Sequence, residues 1–433
     1  MLGVIGTGYL GATHAACMAE LGFDVVGVDT DESKVRSLSQ GELPFYEPDL
    51  PELLAKNVAA GRLRFTTDFN ELANADMHFI CVGTPQQPGK NAADLSYVKA
   101  SVAAVAAIAK PGSLLVGKST VPVGTADALS ASLPSHLELA WNPEFLREGF
   151  AVEDTLRPNR LVVGVQSDRA ENLLKEVYQS LIKDGVPWIS ADLRTAELVK
   201  VAANSFLATK ISFINAMAEI CDASGGDVTV LAKAIGYDPR IGNRFLQAGI
   251  GFGGGCLPKD IRAFMARADE LGATQALEFL REIDSINLRA RKRVIELVRR
   301  DLSEALKSKR IAVLGAAFKP DSDDVRDSPA LDIAVQIQAA GADVVVHDPK
   351  AIEPARKRFP ALNFASSIDE VLKDAEIVLH LTEWKIYREI DPVKAKSLVS
   401  KAIIIDGRNA LDRNKWIDAG WQFRALGVSD KEA

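Results

Sequence analysis

At 433 residues, with 47% hydrophobic and 25% charged side chains, the chain has the composition of a folded globular protein and the length of about two or three domains. A formal net charge of −7 excludes a general affinity for nucleic acid or for an anionic membrane, although a local basic pocket can still hold a phosphate. No run approaches the roughly 18 apolar residues of a membrane span, and residues 1–11 form a glycine turn rather than a charged leader, so a cytoplasmic protein with no membrane partner is predicted.

Through the first 190 or so residues, short β-rich runs alternate with helical patterns. Gly3–Ile5, Asp24–Asp29, Met77–Val82, Ser113–Lys118 and Leu161–Val165 read as strands. This is the alternation of a parallel, doubly wound sheet. The opening strand is short because the turn begins at Gly6, which points to a few native residues missing before it.

Gly6-Thr7-Gly8-Tyr9-Leu10-Gly11 fits G-x-G-x-x-G between a strand and an apolar helix. The glycines there permit the turn, a close pyrophosphate approach and helix-strand packing. Asp29 ends the second strand, where a carboxylate accepts ribose hydroxyls, and its neighbours Thr30, Asp31 and Glu32 would repel a 2′-phosphate. NAD is therefore predicted rather than NADP. The bland alternative is a glycine turn of any α/β protein, but strand, loop, helix and acid fall in the expected order. Thr84 and Pro85 follow the third predicted strand and are placed in the same crevice.

From Leu193 to Ser224 the pattern becomes one long amphipathic helix, and helical stretches continue to about Ser308 with a glycine-rich break at Gly249–Gly255. At Arg310 the strand-helix alternation restarts, with RIAVLG, DVVVHDP, EIVLHL and AIIIDGR as strands. The predicted architecture is two Rossmann-like doubly wound domains, 1–192 and 309–433, joined by a helical middle domain, 193–308.

Of the four cysteines, Cys17, Cys81 and Cys221 sit in apolar periodic segments and read as core. None forms a CxxC pair or a ligand-like group with the five histidines, so neither a disulfide framework nor a metal site is predicted. Cys256 differs. It follows Gly251–Gly255 and precedes Leu257-Pro258-Lys259-Asp260, where Pro258 suits the first turn of a helix. A thiol at that position feels the positive end of the helix dipole, and Lys259 adds positive charge, which is a nucleophile's environment. A tight glycine loop that happens to end in Cys is the structural alternative.

Lys200 and Asn204 lie four apart on the long helix and share a face, as solvated surface or as partners of a site. Lys118–Thr125 (KSTVPVGT) follows a strand, and Asn142–Gly149 (NPEFLREG) has loop character. Thr120 and Glu144 could order a water or a proton between them, and each segment could equally be a turn with a helix cap. No histidine falls in these segments, so an acid or lysine system has to move protons.

Taken together, GTGYLG, KSTVPVGT, NPEFLREG, ELVKVAANSFLATKISFINA, RIGNRFLQAGIGFGGGCLPKD, LGAAFKPDSDDVRDSP and IIIDGRN resemble, in this order and across nearly the whole chain, the UDP-glucose/GDP-mannose dehydrogenase family. The resemblance implies an NAD-binding domain, a helical dimerising middle and a carboxyl-terminal nucleotide-sugar domain. It implies that Cys256 attacks a C6 aldehyde to give a thiohemiacetal, that a second oxidation gives a thioester, and that water releases the acid. It assigns oxyanion stabilisation to Lys200 and Asn204, proton and water chemistry near the sulfur to Asp260, and the hydrolytic water to Glu144 and Thr120. Lys34, Ser119, Glu148 and Arg326 map to further NAD contacts.

The same resemblance places Phe145, Leu146, Arg147, Phe245, Phe252, Gly253, Phe318, Lys319 and Arg408 around the nucleotide sugar. Arg240 is similar to a residue that reaches a neighbouring subunit's site, which implies a homodimer or larger assembly. Two departures stand in the nucleophile loop, where Gly255 replaces a common Ser and Leu257 a common Phe. The stretch from Trp141 to Arg160 looks most like the UDP-glucose branch. GDP-mannose and UDP-N-acetylmannosamine dehydrogenases share the chemistry and are the alternatives. A 3-hydroxyacid or phosphogluconate-type dehydrogenase would lack Cys256 and residues 310–433, and a catalytically silent nucleotide-sugar-binding protein would be expected to have lost reacting residues that are present here.

Overall fold

The computed structural model describes residues 1–302 and 306–428. The chain divides into two compact units, Met1–Ala203 with Arg262–Gly272 and Asn204–Ile261 with Ala273–Ala433.

The first unit is built on an eight-stranded sheet of β1 (Leu2–Ile5), β2 (Val25–Val28), β3 (Leu63–Thr66), β4 (Met77–Ile80), β5 (Leu114–Gly117), β6 (Glu138–Trp141), β7 (Leu161–Gly164) and β8 (Trp188–Ala191). Their spatial order is β3-β2-β1-β4-β5-β6-β7-β8. β1 to β6 run parallel, β7 meets β6 antiparallel at Trp141 and Gly164, and β8 runs parallel to β7. The five strands predicted from sequence are all present. They are buried on both faces, which is why they read as unbroken apolar runs. β3, β6 and β8 were not predicted. β3 and β8 carry exposed positions that interrupt the apolar signal, and β6 opens on a glutamate. One face of the sheet packs on Ala12, Ala15, Met18 and Ala19 of the helix Tyr9–Glu20 together with Leu50, Leu54, Leu174 and Tyr178. The other packs on Val98, Val102 and Val105 of the helix Ser96–Ile108, with Leu129 and Ala196.

The long helix runs Leu193–Ser224, as predicted. At about 1.5 Å per residue it is roughly 48 Å long. Helices Val228–Gly236, Leu257–Glu270 and Glu278–Asp301 follow. The last ends at Asp301 rather than near Ser308, and residues 303–305 lie outside the described residues.

The second unit holds a fully parallel six-stranded sheet of β9 (Arg310–Leu314), β10 (Asp343–His347), β11 (Asn363–Phe364), β12 (Ile377–His380), β13 (Ile403–Asp406) and β14 (Gln422–Ala425). Its order, β11-β10-β9-β12-β13-β14, repeats the winding of the first six strands of the other sheet. β11 and β14 were not predicted. β11 has only two residues, and β14 alternates as an edge strand does.

Asp348 follows β10, as Asp29 follows β2 in the other sheet. It is 1% exposed. Its carboxylate accepts hydrogen bonds from the amides of Ala316, Ala317, Lys350 and Ala351 and from Trp384 Nε1. Among the described residues no helix is long and apolar enough to cross a membrane.

Candidate functional site

In the first unit the turn after β1 is shaped by its glycines. Gly6 has φ +84°, and a Cβ there would lie 2.7 Å from Val82 Cγ1. A Cβ at Gly11 would lie 1.8 Å from the Gly6 carbonyl oxygen, so only glycine lets the helix start this close to the strand. At Gly8 a Cβ would meet nothing within 4 Å, so that face of the turn is open. The helix Tyr9–Glu20 begins here with no side-chain cap, leaving its first amides to an anion.

Asp29 accepts from the Thr7 amide at 2.8 Å, Thr7 Oγ1 at 3.1 Å and the Asp31 amide at 3.1 Å, and it pairs with Lys34 Nζ at 2.8 Å. Burial opposes its ionisation, but Lys34 and the two amides together hold its carboxyl below the usual range. An ionised acid at the end of β2, an open turn and an uncapped helix fit an NAD molecule: pyrophosphate at Gly6–Gly11, ribose at Asp29.

Tyr9 is tied elsewhere. Its hydroxyl donates to Glu47, whose carboxylate also accepts from the amides of Gly149 (2.6 Å) and Ala151 (2.7 Å). Glu47 is 1% exposed and joins the glycine turn to the NPEFLREG segment. Leu10 packs against the core, and Glu148 is half-buried beside Tyr9.

Thr84 Oγ1 donates to the Thr120 carbonyl at 2.8 Å, which joins the loops after β4 and β5. The Ser119 hydroxyl is spent on Val82 O at 2.6 Å. The KSTVPVGT loop is anchored from the long helix by Glu197, whose carboxylate accepts from the amides of Gly124 (2.6 Å) and Ala126 (2.7 Å). Burial pushes Glu197 up to about 7, against the pull of those amides. The folded chain therefore keeps a proton that the unfolded chain releases near 4.5. This contribution to stability is full at low pH and is lost as pH rises through about 7. Glu197→Gln is expected to flatten the fall in melting temperature between about pH 5 and about pH 8. Thermal melts at the two pH values measure it, and an unchanged fall would argue against a titrating Glu197.

Glu144 lies beside this loop. Its Oε1 accepts from the amides of Phe145 (2.7 Å) and Leu146 (3.0 Å), and its Oε2 pairs with Lys118 Nζ at 3.1 Å. The Phe145 ring is stacked by Arg160 at 4.1 Å and lies 5.3 Å from Lys200 Nζ, so Lys200 reaches the NPEFLREG segment. Arg147 makes a bidentate pair with Asp154.

In the second unit Cys256 is exposed, whereas Cys17, Cys81 and Cys221 are buried, as expected. The helix Leu257–Glu270 starts at the next residue. Asp260 is one turn on, and its amide donates to the Cys256 carbonyl at 2.9 Å. Asp260 is buried and accepts from Asn204 Nδ2 at 2.7 Å and Lys259 Nζ at 2.5 Å. Lys259 is thus shared with a carboxylate rather than held for the sulfur alone.

The glycines before Cys256 are crowded by the second unit itself. A Cβ at Gly253 would lie 2.3 Å from Asp327 O, one at Gly254 2.8 Å from the Phe318 ring, and one at Gly255 2.2 Å from Arg326 Cζ. The departure at Gly255 therefore matches the space that Arg326 takes. Arg326 is clamped by Asp324, and Lys319 lies over Phe318. Phe252 exchanges backbone hydrogen bonds with the buried Asn287 side chain. Arg408 donates to the carbonyls of Leu381, Gly251 and Phe318 and pairs with Glu383. Phe245 has φ +65°, a left-handed conformation that an aromatic residue rarely takes. Arg240 projects into solvent and pairs with its neighbour Asp238.

The first unit thus brings together the glycine turn, Asp29, Lys34, Thr84, Ser119, Thr120, Glu144 to Glu148 and Lys200. The second brings together Asn204, Cys256 and Asp260, and separately Phe252, Gly253, Phe318, Lys319, Arg326 and Arg408. Lys118, Asn142 and Glu197 open three of the blocks quoted from the sequence but were given no role there, and Glu47, a lone acid outside those blocks, was not singled out at all.

Residues 1–182 match the NAD binding domain of the UDP-glucose/GDP-mannose dehydrogenase family, residues 194–289 its central domain and residues 312–413 its UDP binding domain. The chain is 40% identical to a UDP-glucose 6-dehydrogenase of Rhizobium meliloti, over 99% of each chain. It is 39% identical to UDP-glucose 6-dehydrogenase TuaD of Bacillus subtilis, over 98% of this chain and 93% of that one. A UDP-glucose dehydrogenase structure from Pyrobaculum islandicum superposes with a TM-score of 0.89 at 36% identity, covering 99% and 97% of the two chains. A UDP-D-ManNAc dehydrogenase structure from Pyrococcus horikoshii gives 0.86 at 27%, covering 99% of each. With its fold, its glycine turn and its domain matches in agreement, the chain belongs to the UDP-glucose/GDP-mannose dehydrogenase family.

Proposed function

We propose that this chain, an NAD-dependent nucleotide-sugar dehydrogenase by family, oxidises UDP-glucose to UDP-glucuronate through a thioester on Cys256. The observation that carries the reading is Cys256 itself: exposed, at a helix amino terminus, one turn from a buried Asp260 held by Asn204. The likeness to UDP-glucose 6-dehydrogenases near 40% identity favours this substrate over GDP-mannose or UDP-N-acetylmannosamine.

Gly6, Gly8, Tyr9, Leu10 and Gly11 would hold the cofactor's pyrophosphate and Asp29 its ribose, with Lys34, Thr84, Ser119, Thr120, Glu148 and Arg326 around it. Bound NAD supplies the hydride acceptor for both oxidations. Cys256 Sγ, as thiolate, bonds to the C6 aldehyde carbon, and Lys200 and Asn204 donate to the oxygen that gains charge. Such donors typically contribute several kcal/mol to a transition state. Asp260 takes part in proton transfer near the sulfur, and Glu144 with Thr120 takes the proton of the hydrolytic water. Phe145, Leu146, Arg147, Phe245, Phe252, Gly253, Phe318, Lys319 and Arg408 would line the nucleotide sugar.

We propose domains 1–192, 193–308 and 309–433, which the spans of the three family domains support. A homodimer or larger assembly is proposed as well. Phe206, Phe213 and Ile220 recur every seven residues on the long helix and are 66%, 46% and 61% exposed, a stripe that a second copy would cover, and Arg240 would then serve the neighbour's site. Four cysteines, none of them in a disulfide, suit the reducing cytoplasm.

Purified protein assayed with NAD against UDP-glucose, GDP-mannose and UDP-N-acetylmannosamine is expected to prefer UDP-glucose and to form about two reduced NAD per acid. A stable aldehyde with one reduced NAD would contradict the four-electron reading.

A further inference from the structure

Lys118 lies just past the end of β5 with its side chain 4% exposed. Its ammonium is caged. Nζ is 3.1 Å from Glu144 Oε2 and 3.0 Å from Asn142 Oδ1. Asn142 is itself fixed, because its Nδ2 donates to Val162 O at 2.8 Å and Tyr178 Oη donates to its Oδ1 at 2.7 Å. With Oε1 of Glu144 on two backbone amides, each carboxylate oxygen has a preset partner. A lysine this buried ordinarily sheds its proton. Here burial is the largest single influence and acts in that direction, yet the Glu144 carboxylate and the other groups around the ammonium together outweigh it and hold Lys118 more basic than usual.

The other titratable groups that face Lys118 stay neutral near pH 7. Burial pushes the Cys81 thiol up to about 12 and raises Tyr178, and burial with the Lys118 charge lowers His14 well below its ordinary value. Lys118 and Glu144 therefore form a close ion pair in which the Glu144 charge helps to keep Lys118 protonated.

We propose that Lys118 is the positioning residue for Glu144, aiming that carboxylate so that it can take a proton from the water that hydrolyses the thioester. The inference rests on the thioester reading above. In the step concerned, water gives a proton to Glu144, its oxygen bonds to the acyl carbon, and the C–S bond breaks with its electron pair passing to Cys256 Sγ. No oxidant is consumed, so the earlier oxidations do not depend on Lys118.

Lys118→Met with UDP-glucose and NAD is expected to give a burst of about two reduced NAD per chain and then a steady rate on the order of 10²-fold below wild type. Intact mass should show an acyl adduct on Cys256. Because only the step after acylation is slowed, kcat/KM for UDP-glucose should stay within about threefold while KM falls along with kcat. Glu144→Gln is the control. If it accumulates the adduct and Lys118→Met does not, or if kcat/KM for UDP-glucose falls as far as kcat does, the role of Lys118 is overturned. If Glu144→Gln shows neither burst nor adduct, the thioester reading fails and takes this inference with it. Should Lys118→Met not fold, Tyr178→Phe, which only loosens the cage, is expected to show a weaker burst and adduct, and their absence would overturn the proposal.

Discussion

Cys256→Ser is expected to reduce turnover of UDP-glucose by on the order of 10⁴-fold or more while NAD affinity stays within a few-fold. A serine hydroxyl in the same place is a far poorer nucleophile near neutral pH, since it cannot ionise as a thiol does. Cys256 is exposed and precedes the helix Leu257–Glu270, so no core contact is lost, and the Asp260 amide still finds the backbone carbonyl of residue 256. Cofactor affinity should survive because the glycine turn and Asp29 belong to the first unit, whereas Cys256 belongs to the second. Steady-state assays of acid production paired with NAD titration separate the two quantities, and near-normal acid production by the variant would refute a covalent route.

The second large effect is expected at Gly11. A Cβ there would sit 1.8 Å from the Gly6 carbonyl oxygen and 3.1 Å from Cys81 Cβ, so neither the turn nor the strand behind it can yield cheaply. Gly11→Val would push the helix Tyr9–Glu20 off β1. Overpacking of this kind typically costs about 1–3 kcal/mol, and because it falls on backbone the upper end is expected here. NAD affinity should fall at least about tenfold, since the same displacement moves the uncapped amides away from the pyrophosphate. Melting temperature and NAD titration of Gly8→Ala and Gly11→Val side by side make the test. The open space at Gly8 predicts that its variant folds normally, and equal stability of Gly11→Val would contradict the packing argument.

The legible parts of this chain were those where one physical requirement acts over several consecutive residues. β1, β2, β4, β5 and β7 are buried on both faces and could be read as apolar runs, and the long helix could be read to its end residues because its pattern persists for 32 of them. β11 could not be read, since two residues carry no period, and β8, at the edge of its sheet, is only four residues long with its two central positions exposed. The same contrast holds at the site. Gly6, Gly8 and Gly11 announce themselves by spacing, and Cys256 by its setting after a glycine run. Glu47, Lys118 and Glu197 meet their partners across 102, 24 and 73 positions of sequence, and no local pattern can foretell such a meeting. The Tyr9 hydroxyl likewise meets Glu47 across 38 positions of sequence, a contact that no local pattern announces.

The paired winding of the two sheets has a final implication at Asp348. An acid after the second strand is what a dinucleotide fold offers to a ribose, and both sheets have one. At Asp29 the partners are two amides, the Thr7 hydroxyl and the partly exposed Lys34 ammonium. At Asp348 four amides and an indole close over the carboxylate from inside the protein. One inherited plan has thus been put to two ends: an open hand in the first sheet, and in the second a clenched one that fastens two loops and leaves nothing to offer a sugar hydroxyl.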